Sequence, residues 1–391
     1  MTKIFLKKNQ ERRIRSGHPW VFSNEIWKVE GSEESGEIVE VLDFRGKFLG
    51  IGYYNPHSLI SIRLLSREKE EIDKNFFIKH IQKAQQFRER IYPQEKSYRL
   101  IFSEGDFLPG LIVDKYENFL VIQVLTLGME RLKEKILEAL QEIMKPQGIY
   151  EKSDLTLRHL EGLKEEKGLL FGEIGSPLMI EENGLRFLVD IEQGQKTGWF
   201  FDQRENRLAM SSYAKGARVL DCFCYTGAFS IYAAKAGVTA VKGIESKDTA
   251  IDLACKNAKL NRVSAKVRFE IDDVFEALRK KEEKREEYDL IILDPPSFAK
   301  SKKEIEGAIR GYKEINLRAM KILKSGGILV TWSCSYHIEN QLFKEILLEA
   351  GRDAHCVLQL LGFRHQSMDH PVLLAAKETE YLKCAILKVE K

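Results

Sequence analysis

No run of apolar residues in this sequence approaches the roughly 20 that a membrane-spanning helix requires. The first ten residues, MTKIFLKKNQ, are too polar to contain the apolar segment of a signal peptide. These two absences predict a cytoplasmic protein that works without a membrane partner.

Cysteine is absent from the first 221 residues, and no Cys-x-x-Cys pair occurs in the chain. A disulfide framework would be distributed differently, so we expect reduced thiols. The eight histidines lack the helical spacing of metal ligands, which argues against a bound metal. The six cysteines are Cys222, Cys224, Cys255, Cys334, Cys356 and Cys384.

The chain also lacks an overall excess of one charge, because 62 basic and 59 acidic residues leave a net charge of +3. Any nucleic-acid surface must therefore be local. Residues 1–28 are the candidate, since seven lysines and arginines outnumber two acidic residues there and aromatic side chains are interleaved. We assign Arg15, His18 and Trp20 to RNA contact. A solvated face with ordinary core aromatics is the alternative.

A length of 391 residues indicates two or three domains. Residues 1–70 carry short β-branched and aromatic segments between turns, which predicts an all-β module. Residues 71–190 are typical of a central α+β domain, with amphipathic helices over 72–92 and 130–144. Over 191–391 strands alternate with helices. This alternation predicts an α/β domain with a parallel, doubly wound sheet, where ligands bind at the carboxyl ends of the strands.

Acidic residues follow the first four predicted strands of this sheet. Asp221 ends the first strand and leads into CFCYTGAF, where a turn at Gly227 lets backbone amides approach a ligand. Glu245 ends the second strand, where a carboxylate accepts hydrogen bonds from ribose hydroxyls. Asp273 follows the third strand and suits either an adenine amino group or a plain helix cap. With Asp294 after the fourth strand, the row indicates a nucleoside-bearing cofactor.

The fourth strand runs into LIILDPPSF. Two prolines directly after a buried strand remove backbone donors and fix an extended turn. This pattern resembles class I S-adenosylmethionine-dependent methyltransferases, which have a Rossmann-like fold and an Asp/Asn-Pro-Pro turn that holds the target base. On this resemblance Asp294, Pro295, Pro296 and Phe298 lie beside the substrate, and Asp294 also borders the cofactor.

The fifth strand ends in TWSCSYH, with Cys334 at its tip, 40 residues after Asp294. A thiolate that adds to C6 of a pyrimidine makes C5 nucleophilic enough to take a methyl group. Asp294 would then hold the base at N3 or N4. A small residue that is simply packed in the core is the alternative for this cysteine.

Together these motifs resemble the bacterial large-subunit ribosomal RNA methyltransferase I family, cytosine-C5 enzymes that act on 23S ribosomal RNA. RRIRSGHPWVFSNEI resembles the start of the family's RNA-binding PUA domain, and YRLIFSEGDFLPGLIVDKY resembles its central domain. The most specific stretch is GQKTGWFFDQRENR at 194–207, followed by VLDCFCYTGAFS, DPPSF and SCSYH. The resemblance covers nearly the whole chain.

The resemblance implies S-adenosylmethionine as the cofactor, Cys334 as the nucleophile and Asp294 as its catalytic partner. Many cytosine-C5 RNA enzymes carry a second cysteine after the proline of the fourth-strand turn, whereas this chain has Pro296-Ser297. The residue that removes the C5 proton therefore stays open. Arg204 is assigned to the substrate. The remaining cofactor residues are Lys196, Thr197, Asp202, Gln203, Asp221, Phe223, Tyr225, Thr226, Gly227, Glu245 and Asp273.

Three hypotheses follow for function. The first is methylation of cytosine C5 in 23S ribosomal RNA, as free RNA or in a large-subunit assembly intermediate. The second is an RNA methyltransferase that acts on an exocyclic amine, with Cys334 a bystander. The third is an RNA-binding ribosome assembly factor without turnover. The sequence leaves the oligomeric state open, including a homodimer.

Overall fold

The computed structural model describes residues 1–32, 34–299 and 301–391. The chain forms two compact units. The first comprises Met1–Glu181, Val189–Phe201 and Met368–Thr379, and the second comprises Glu182–Leu188, Asp202–Ser367 and Glu380–Lys391. The division into domains at 70/71 and 190/191 stays a prediction.

The first unit begins with a β-rich module. Its elements are β1 (Thr2–Leu6), α1 (Glu11–Arg15), β2 (Trp20–Val21), β3 (Ile26–Glu30), β4 (Glu37–Leu42), β5 (Phe48–Tyr54) and β6 (Ile62–Ser66). Within the described ranges, the six strands form one sheet in the order β2-β6-β5-β4-β1-β3. Alternate residues of these strands, such as Ile4, Leu6, Val39 and Val41, are fully buried, which gives the module its own core.

The rest of the first unit is α+β. Its elements are α2 (Lys74–Ile91), β7 (Tyr98–Phe102), β8 (Leu111–Tyr116), β9 (Phe119–Val124), α3 (Leu127–Arg131), α4 (Lys133–Met144), β10 (Gly148–Ser153) and β11 (Glu166–Gly172). The strands pair in the order β11-β10-β9-β8-β7. The predicted helix 72–92 is confirmed, and Asp73 caps it by accepting a hydrogen bond from the Phe76 amide at 2.9 Å. The segment predicted as one helix over 130–144 is instead α3 followed by α4.

Two short strands follow, β12 (Leu178–Glu182) and β13 (Leu185–Val189). Glu182–Leu188 belongs to the second unit, and Val189–Phe201 returns to the first. The second unit continues with α5 (Arg204–Ser211), β14 (Arg218–Cys222), α6 (Ala228–Lys235), β15 (Ala240–Glu245), α7 (Asp248–Leu260), β16 (Val267–Ile271), α8 (Val274–Glu283), β17 (Tyr288–Leu293), α9 (Ile305–Ile322), β18 (Leu323–Ser333), α10 (Asn340–Asp353), β19 (Val357–Arg364) and β20 (Lys383–Glu390). The alternation predicted for this half of the chain is confirmed.

The sheet of the second unit has the order β16-β15-β14-β17-β18-β20-β19. The first five strands of this order are parallel, and β20 and β19 are antiparallel to their neighbours. Leu290–Leu293 of β17 are fully buried, as expected for a central strand covered on both faces. The predicted α/β, doubly wound fold with an antiparallel edge is therefore confirmed. None of the helices in the described part of the chain combines the length and apolar character needed to cross a membrane.

Candidate active site

The carboxyl ends of the central parallel strands meet at one edge of the sheet. Cys222 of β14 pairs with Leu293 of β17, and Leu293 pairs with Thr331 of β18. Asp294 therefore begins the turn after β17 next to the end of β14, and its amide nitrogen lies 3.4 Å from the Cys222 carbonyl oxygen. The parallel register brings the acidic strand ends and the TWSCSYH segment to the same edge.

Asp294 is held by an amide side chain from the start of α5. Gln203 donates from Nε2 to both carboxylate oxygens of Asp294, each at 3.0 Å. Asn206 fixes that orientation by donating from Nδ2 to Gln203 Oε1 at 2.9 Å. A glutamine whose acceptor is occupied presents its NH₂ group to the carboxylate, so the Gln203 amide is held in the orientation that binds both oxygens of Asp294.

Cys334 lies against the Asp-Pro-Pro turn. Its Sγ is 3.8 Å from the carbonyl oxygen of Pro295, the residue after Asp294. The cysteine is half-buried, Pro295 is buried and Pro296 is exposed. Phe298 packs its ring 4.6 Å from that of Tyr312. The fourth and fifth strand ends thus bring the predicted nucleophile and the base-holding turn into contact.

Ser335 connects the Asp-Pro-Pro turn to the end of the fifth strand through its side chain. Its buried Oγ lies 3.0 Å from Ser297 Oγ and 2.9 Å from Tyr312 Oη, and it accepts a hydrogen bond from the Ala299 amide at 3.2 Å. One buried hydroxyl therefore ties the turn after Pro296 to the residue after Cys334. This arrangement restricts movement of the thiol relative to the turn.

A buried lysine approaches Cys334 from β20. Lys383 is 3% exposed and donates from Nζ to the carbonyl oxygens of Ser335 and Tyr381, both at 2.7 Å. Burial lowers its pKa to about 8, while the charge of a Cys334 thiolate and two nearby glutamates acts in the opposite direction. Burial also raises the pKa of Tyr312 to about 12, and the Cys334 thiolate adds to this effect. The lysine is a cation that favours ionisation of the thiol.

The loop between β14 and α6 has an unusual backbone. Phe223 and Tyr225 both adopt left-handed conformations, with φ values of 63° and 48°. Such strain persists only where the surroundings impose it, and it is concentrated at ligand sites. Gly227 begins α6 at φ 81°, where a Cβ atom would lie 2.7 Å from the Phe269 ring. The loop thereby reaches a helix start that suits a polar ligand.

Two buried polar atoms beside this loop lack a protein partner among the described residues. They are Asp221 Oδ1 and Thr226 Oγ1, on side chains that are 0% and 3% exposed. Asp221 accepts a hydrogen bond at its other oxygen from Ser230 at 2.6 Å. Buried acceptors and hydroxyls are costly when unsatisfied. These residues therefore fit a cofactor with an amino group and hydroxyls, such as S-adenosylmethionine.

Asp221 carries a perturbed carboxyl group at this edge. Its pKa is raised to about 7, chiefly by burial and also by the neighbouring carboxylates of Asp294 and Glu245, while the hydrogen bond from Ser230 acts in the opposite direction. A cationic ligand group would relieve the repulsion among the three carboxylates.

Glu245 and Asp273 already have backbone partners. Glu245 Oε1 accepts hydrogen bonds from the amide nitrogens of Ser246 at 2.8 Å and Lys247 at 3.2 Å, and its Oε2 accepts one from Tyr225 at 3.2 Å. Asp273 caps α8 by accepting a hydrogen bond from the Glu276 amide at 3.1 Å. Both carboxylates retain acceptor capacity, so their assignment to ribose and adenine stays a prediction.

Two more predicted residues, Asp202 and Arg204, are buried in the second unit. Asp202 accepts a hydrogen bond from Tyr381 Oη at 2.6 Å. Arg204 is 2% exposed and lies 3.6 Å from Glu182, which Arg207 binds at 2.8 Å through two hydrogen bonds. This buried ion cluster indicates a supporting role for Arg204, and its contact with substrate stays a prediction.

Lys196 and Thr197 belong to the first unit. Lys196 is exposed, and its Nζ lies 4.5 Å from the centre of the Phe200 ring. Thr197 is fully buried, and its hydroxyl donates to Asp114 and lies 3.1 Å from Tyr116 Oη. Thr197 thus has a structural environment within its unit, and a contact of either residue with the cofactor stays a prediction.

The three residues predicted to contact RNA differ in accessibility. His18 is buried, and its Nδ1 accepts a hydrogen bond from the Trp20 amide at 3.1 Å. Burial lowers the pKa of this imidazole. Trp20 is half-buried and donates from Nε1 to Glu104 at 2.8 Å. Arg15 is exposed but bonds Asp43 at 2.7 Å. The first two side chains already have internal partners.

Lys383, Tyr312 and Ser335 were not among the predicted site residues. Lys383 stands in the segment TEYLKCAILKV as a single charged residue before a run of apolar residues. It lies opposite Ser333 in the β18–β20 pair. A charged residue at the buried start of a strand indicates a functional or structural interaction, because a buried charge requires a partner. Its partner, however, depends on a pairing between strands 50 residues apart, as counted from Ser333 to Lys383.

Known methyltransferases are similar to this chain over most of its length. A family model described as an S-adenosylmethionine-dependent methyltransferase matches residues 135–366, and one described as a PUA-like domain matches residues 4–67. A putative S-adenosylmethionine-dependent methyltransferase from Streptococcus mutans covers 99% of this chain and 100% of its own at a TM-score of 0.85 and 23% identity, which shows the shared fold. A putative methyltransferase complexed with SAH has a TM-score of 0.86 at 24% identity and the same coverage.

Two curated relatives are more similar in sequence. Ribosomal RNA large subunit methyltransferase I of Tolumonas auensis is 42% identical over 393 residues, covering 99% of each chain. The protein of the same name from Photobacterium profundum is 44% identical over 388 residues, covering 98% of each chain. S-adenosylmethionine is therefore the cofactor, as predicted. The chain belongs to the ribosomal RNA large subunit methyltransferase I family of S-adenosylmethionine-dependent methyltransferases.

Proposed function

We propose that this protein methylates C5 of a cytosine in 23S ribosomal RNA through a covalent adduct between Cys334 and C6 of the base. The observation that carries the proposal is the 3.8 Å contact between Cys334 Sγ and the Pro295 carbonyl oxygen, one residue after Asp294. Ribosomal RNA of the large subunit as substrate is supported by the names of relatives that match over nearly the full chain.

The proposed reaction needs a thiolate. A free cysteine has a pKa of about 8.5, so only a few per cent is ionised at neutral pH. Lys383, buried and bonded to the carbonyl oxygen of Ser335, supplies a positive charge close to the thiol. The thiolate adds to C6, and the electron pair of the C5–C6 double bond makes C5 nucleophilic.

Asp294 holds the base during this step. Addition of the thiolate shifts electron density onto N3, which takes up a proton from solvent, and the Asp294 carboxylate accepts a hydrogen bond from the resulting N3–H or from the N4 amino group. Gln203 keeps both carboxylate oxygens oriented. When bound, S-adenosylmethionine supplies an electrophilic methyl group. After C5 is methylated, a base removes the C5 proton, the thiolate leaves C6 as the C5–C6 double bond re-forms, and N3 returns its proton to solvent.

The cofactor is proposed to lie along the strand ends that precede this turn. Asp221 and Thr226 have buried polar atoms suited to its amino acid part, and the strained loop of Phe223 and Tyr225 borders it. Glu245 has acceptor capacity for its ribose. These residues bind and orient the methyl donor, while the chemistry on the base depends on Cys334 and Asp294.

The test is mass mapping of methylated nucleosides in 23S ribosomal RNA after incubation with the protein and labelled cofactor. A gain of 5-methylcytidine at one position, on free RNA or on an assembly intermediate, supports the proposal. A gain of an N-methylated nucleoside supports attack by an exocyclic amine at the Asp-Pro-Pro turn. Cofactor binding without label transfer to either form of RNA supports an assembly factor without turnover.

A further inference from the structure

The β-rich module of the first unit exposes three aromatic rings side by side. Trp27 is 53% exposed and Phe44 is 44% exposed, and their ring centres are 4.8 Å apart. Half-buried Phe5 meets Trp27 edge to face at 6.5 Å. We call Phe5, Trp27 and Phe44 the aromatic patch. Aromatic rings exposed together in this way mark an interaction surface.

A β-bulge turns Trp27 outward. In the β1–β3 pair, Phe5 lies opposite Lys28 and Leu6 lies opposite Ile26, so Trp27 is an extra residue without its own partner. Ile26 packs against the core of the module, and so does Val29. Regular alternation would instead turn either Trp27 or Lys28 inward, so the bulge is what exposes both. Bulges of this kind re-aim side chains at functional surfaces, and this one directs Trp27 and Lys28 to the same side as Phe5.

A rigid turn presents Phe44. Asp43 Oδ1 accepts hydrogen bonds from the amides of Arg45 and Lys47, both at 2.9 Å, and the Asp43 carbonyl oxygen accepts one from the Gly46 amide at 2.9 Å. Gly46 has a φ of 80°, which favours glycine in this turn. Arg15 bonds the second oxygen of Asp43. Because the turn is fixed before binding, stacking on Phe44 costs little ordering entropy.

Cations lie on the same strand and the same turn as the rings of the aromatic patch. Lys28 Nζ lies 5.9 Å from the Phe5 ring centre, and Arg45 and Lys47 are exposed on the turn that carries Phe44. Lys28 pairs with Glu30 at 2.5 Å, whereas no acidic side chain of the described ranges forms an ion pair with Arg45 or Lys47. The surface therefore combines stacking rings with an excess of positive charge, which suits a polyanion that has flat, apolar bases.

We propose that the aromatic patch binds a single-stranded segment of RNA by stacking its bases on Trp27 and Phe44, with Arg45 and Lys47 contacting the phosphates. The inference rests on the proposed function in one respect, that the substrate is RNA. A duplex keeps its bases inside the stack, so only unpaired nucleotides can lie on the rings. His18 and Trp20, whose polar atoms are bonded within the protein, are not part of this surface.

The test compares binding of a fluorescent single-stranded RNA dodecamer by the full chain and its variants, by anisotropy and without cofactor. Trp27→Ala and Phe44→Ala should each weaken binding about tenfold, and Trp27→Phe should restore most of the loss because it keeps a ring. Leu59→Ala is the matched control, since Leu59 is 71% exposed in the same module outside the patch. It should bind like the original protein. A duplex of the same sequence should bind weakly and equally to all variants.

Unchanged affinity of the Trp27→Ala, Phe44→Ala double variant overturns the inference. So does a loss that appears equally with the duplex, because base stacking is then not involved. A shift in sedimentation of the double variant with unchanged RNA affinity means that a second copy of the chain covers the patch, which also overturns it. Because no cofactor is present, this result is independent of which atom is methylated. A failed search for 5-methylcytidine would leave the inference standing.

Discussion

The first and fifth strands of the parallel sheet both end near cysteine, yet the two ends create opposite environments. Cys222 and Cys224 are buried, and burial together with the neighbouring charge of Asp221 raises the pKa of both thiols. Cys334 is half-buried, contacts the Pro295 carbonyl oxygen and has an ammonium group nearby. The neighbouring charge and the solvent access of the sulfur, rather than the residue type, therefore distinguish a packing thiol from a nucleophile.

The largest effect on methyl transfer should come from removing the sulfur of Cys334, with removal of the Cys222 sulfur as the matched control. Cys334→Ala should lower methyl transfer by about 10³-fold or more, because the ring can no longer be activated at C6. Cys222→Ala should leave kcat close to that of the original protein and cost about 1 kcal/mol of folding stability through lost core packing. Label transfer from the cofactor to RNA measures the first effect, and thermal unfolding measures the second.

RNA that contains 5-fluorocytidine tests for the covalent adduct itself, because fluorine at C5 cannot be removed as a proton and the adduct therefore persists. We expect a denaturation-resistant complex with the original protein and with Cys222→Ala, and none with Cys334→Ala. Turnover of Cys334→Ala near the original rate would instead favour methylation of an exocyclic amine.

Asp294→Asn should lower kcat by about 10²-fold, because a neutral amide is a weaker hydrogen-bond acceptor than a carboxylate for the protonated N3 of the adduct. The substitution also places an amide NH₂ group next to Gln203 Nε2, which in the original protein donates to both carboxylate oxygens. Gln203→Glu is the companion variant, because it places a second carboxylate next to that of Asp294. Alkylation of Cys334 by iodoacetamide should be little changed in Asp294→Asn, and a large change there would mean that the turn itself has moved.

The sequence predicted which residues lie at the strand ends, but not which side chains surround them. The acidic residues and Cys334 could be placed at one edge because apolar strands followed by single polar residues have a clear periodicity, and parallel strands share a carboxyl edge. Lys383 was missed because its hydrogen bond to the Ser335 carbonyl oxygen and its charge interaction with Cys334 depend on antiparallel pairing between β18 and β20. Pairing between distant strands leaves no local pattern.

The front of the chain shows the same limit. The basic and aromatic content of residues 1–28 was visible, but not which rings are exposed. Trp20 bonds Glu104, which lies 84 residues away, and Trp27 and Lys28 both face outward because of a bulge that shifts the register. Arg204 is similar, since its burial depends on Glu182 from another segment. A one-residue register change or a distant partner decides exposure, and neither is encoded in composition.

Lys383→Met should make the end of the fifth strand resemble the end of the first, because it removes the positive charge near the thiol. Loss of the ammonium group should raise the pKa of the Cys334 thiol and slow its alkylation at pH 7 by about tenfold. Lys383→Arg keeps the charge and should recover part of the rate. The pH profile of alkylation distinguishes this role from a structural one, because a purely structural defect would change the rate at all pH values. The groups that face Lys383 are Cys334, Glu339 and Glu380.

The smallest effect concerns Asp221, the carboxyl group beside the buried thiols. Its pKa in the folded state, about 7, lies above its ordinary value of 3.8. Between these two pH values the folded state therefore keeps a proton that the unfolded state has lost. The stability it contributes is complete below pH 3.8 and is lost as the pH rises to about 7. Cofactor binding should show the complementary trend. The affinity for S-adenosylmethionine, measured by calorimetry, should rise several-fold from pH 6 to pH 8, because the ionised carboxylate attracts the cationic ligand. Asp221→Asn should remove this pH dependence, and an equally steep profile in that variant would assign the titration to another group.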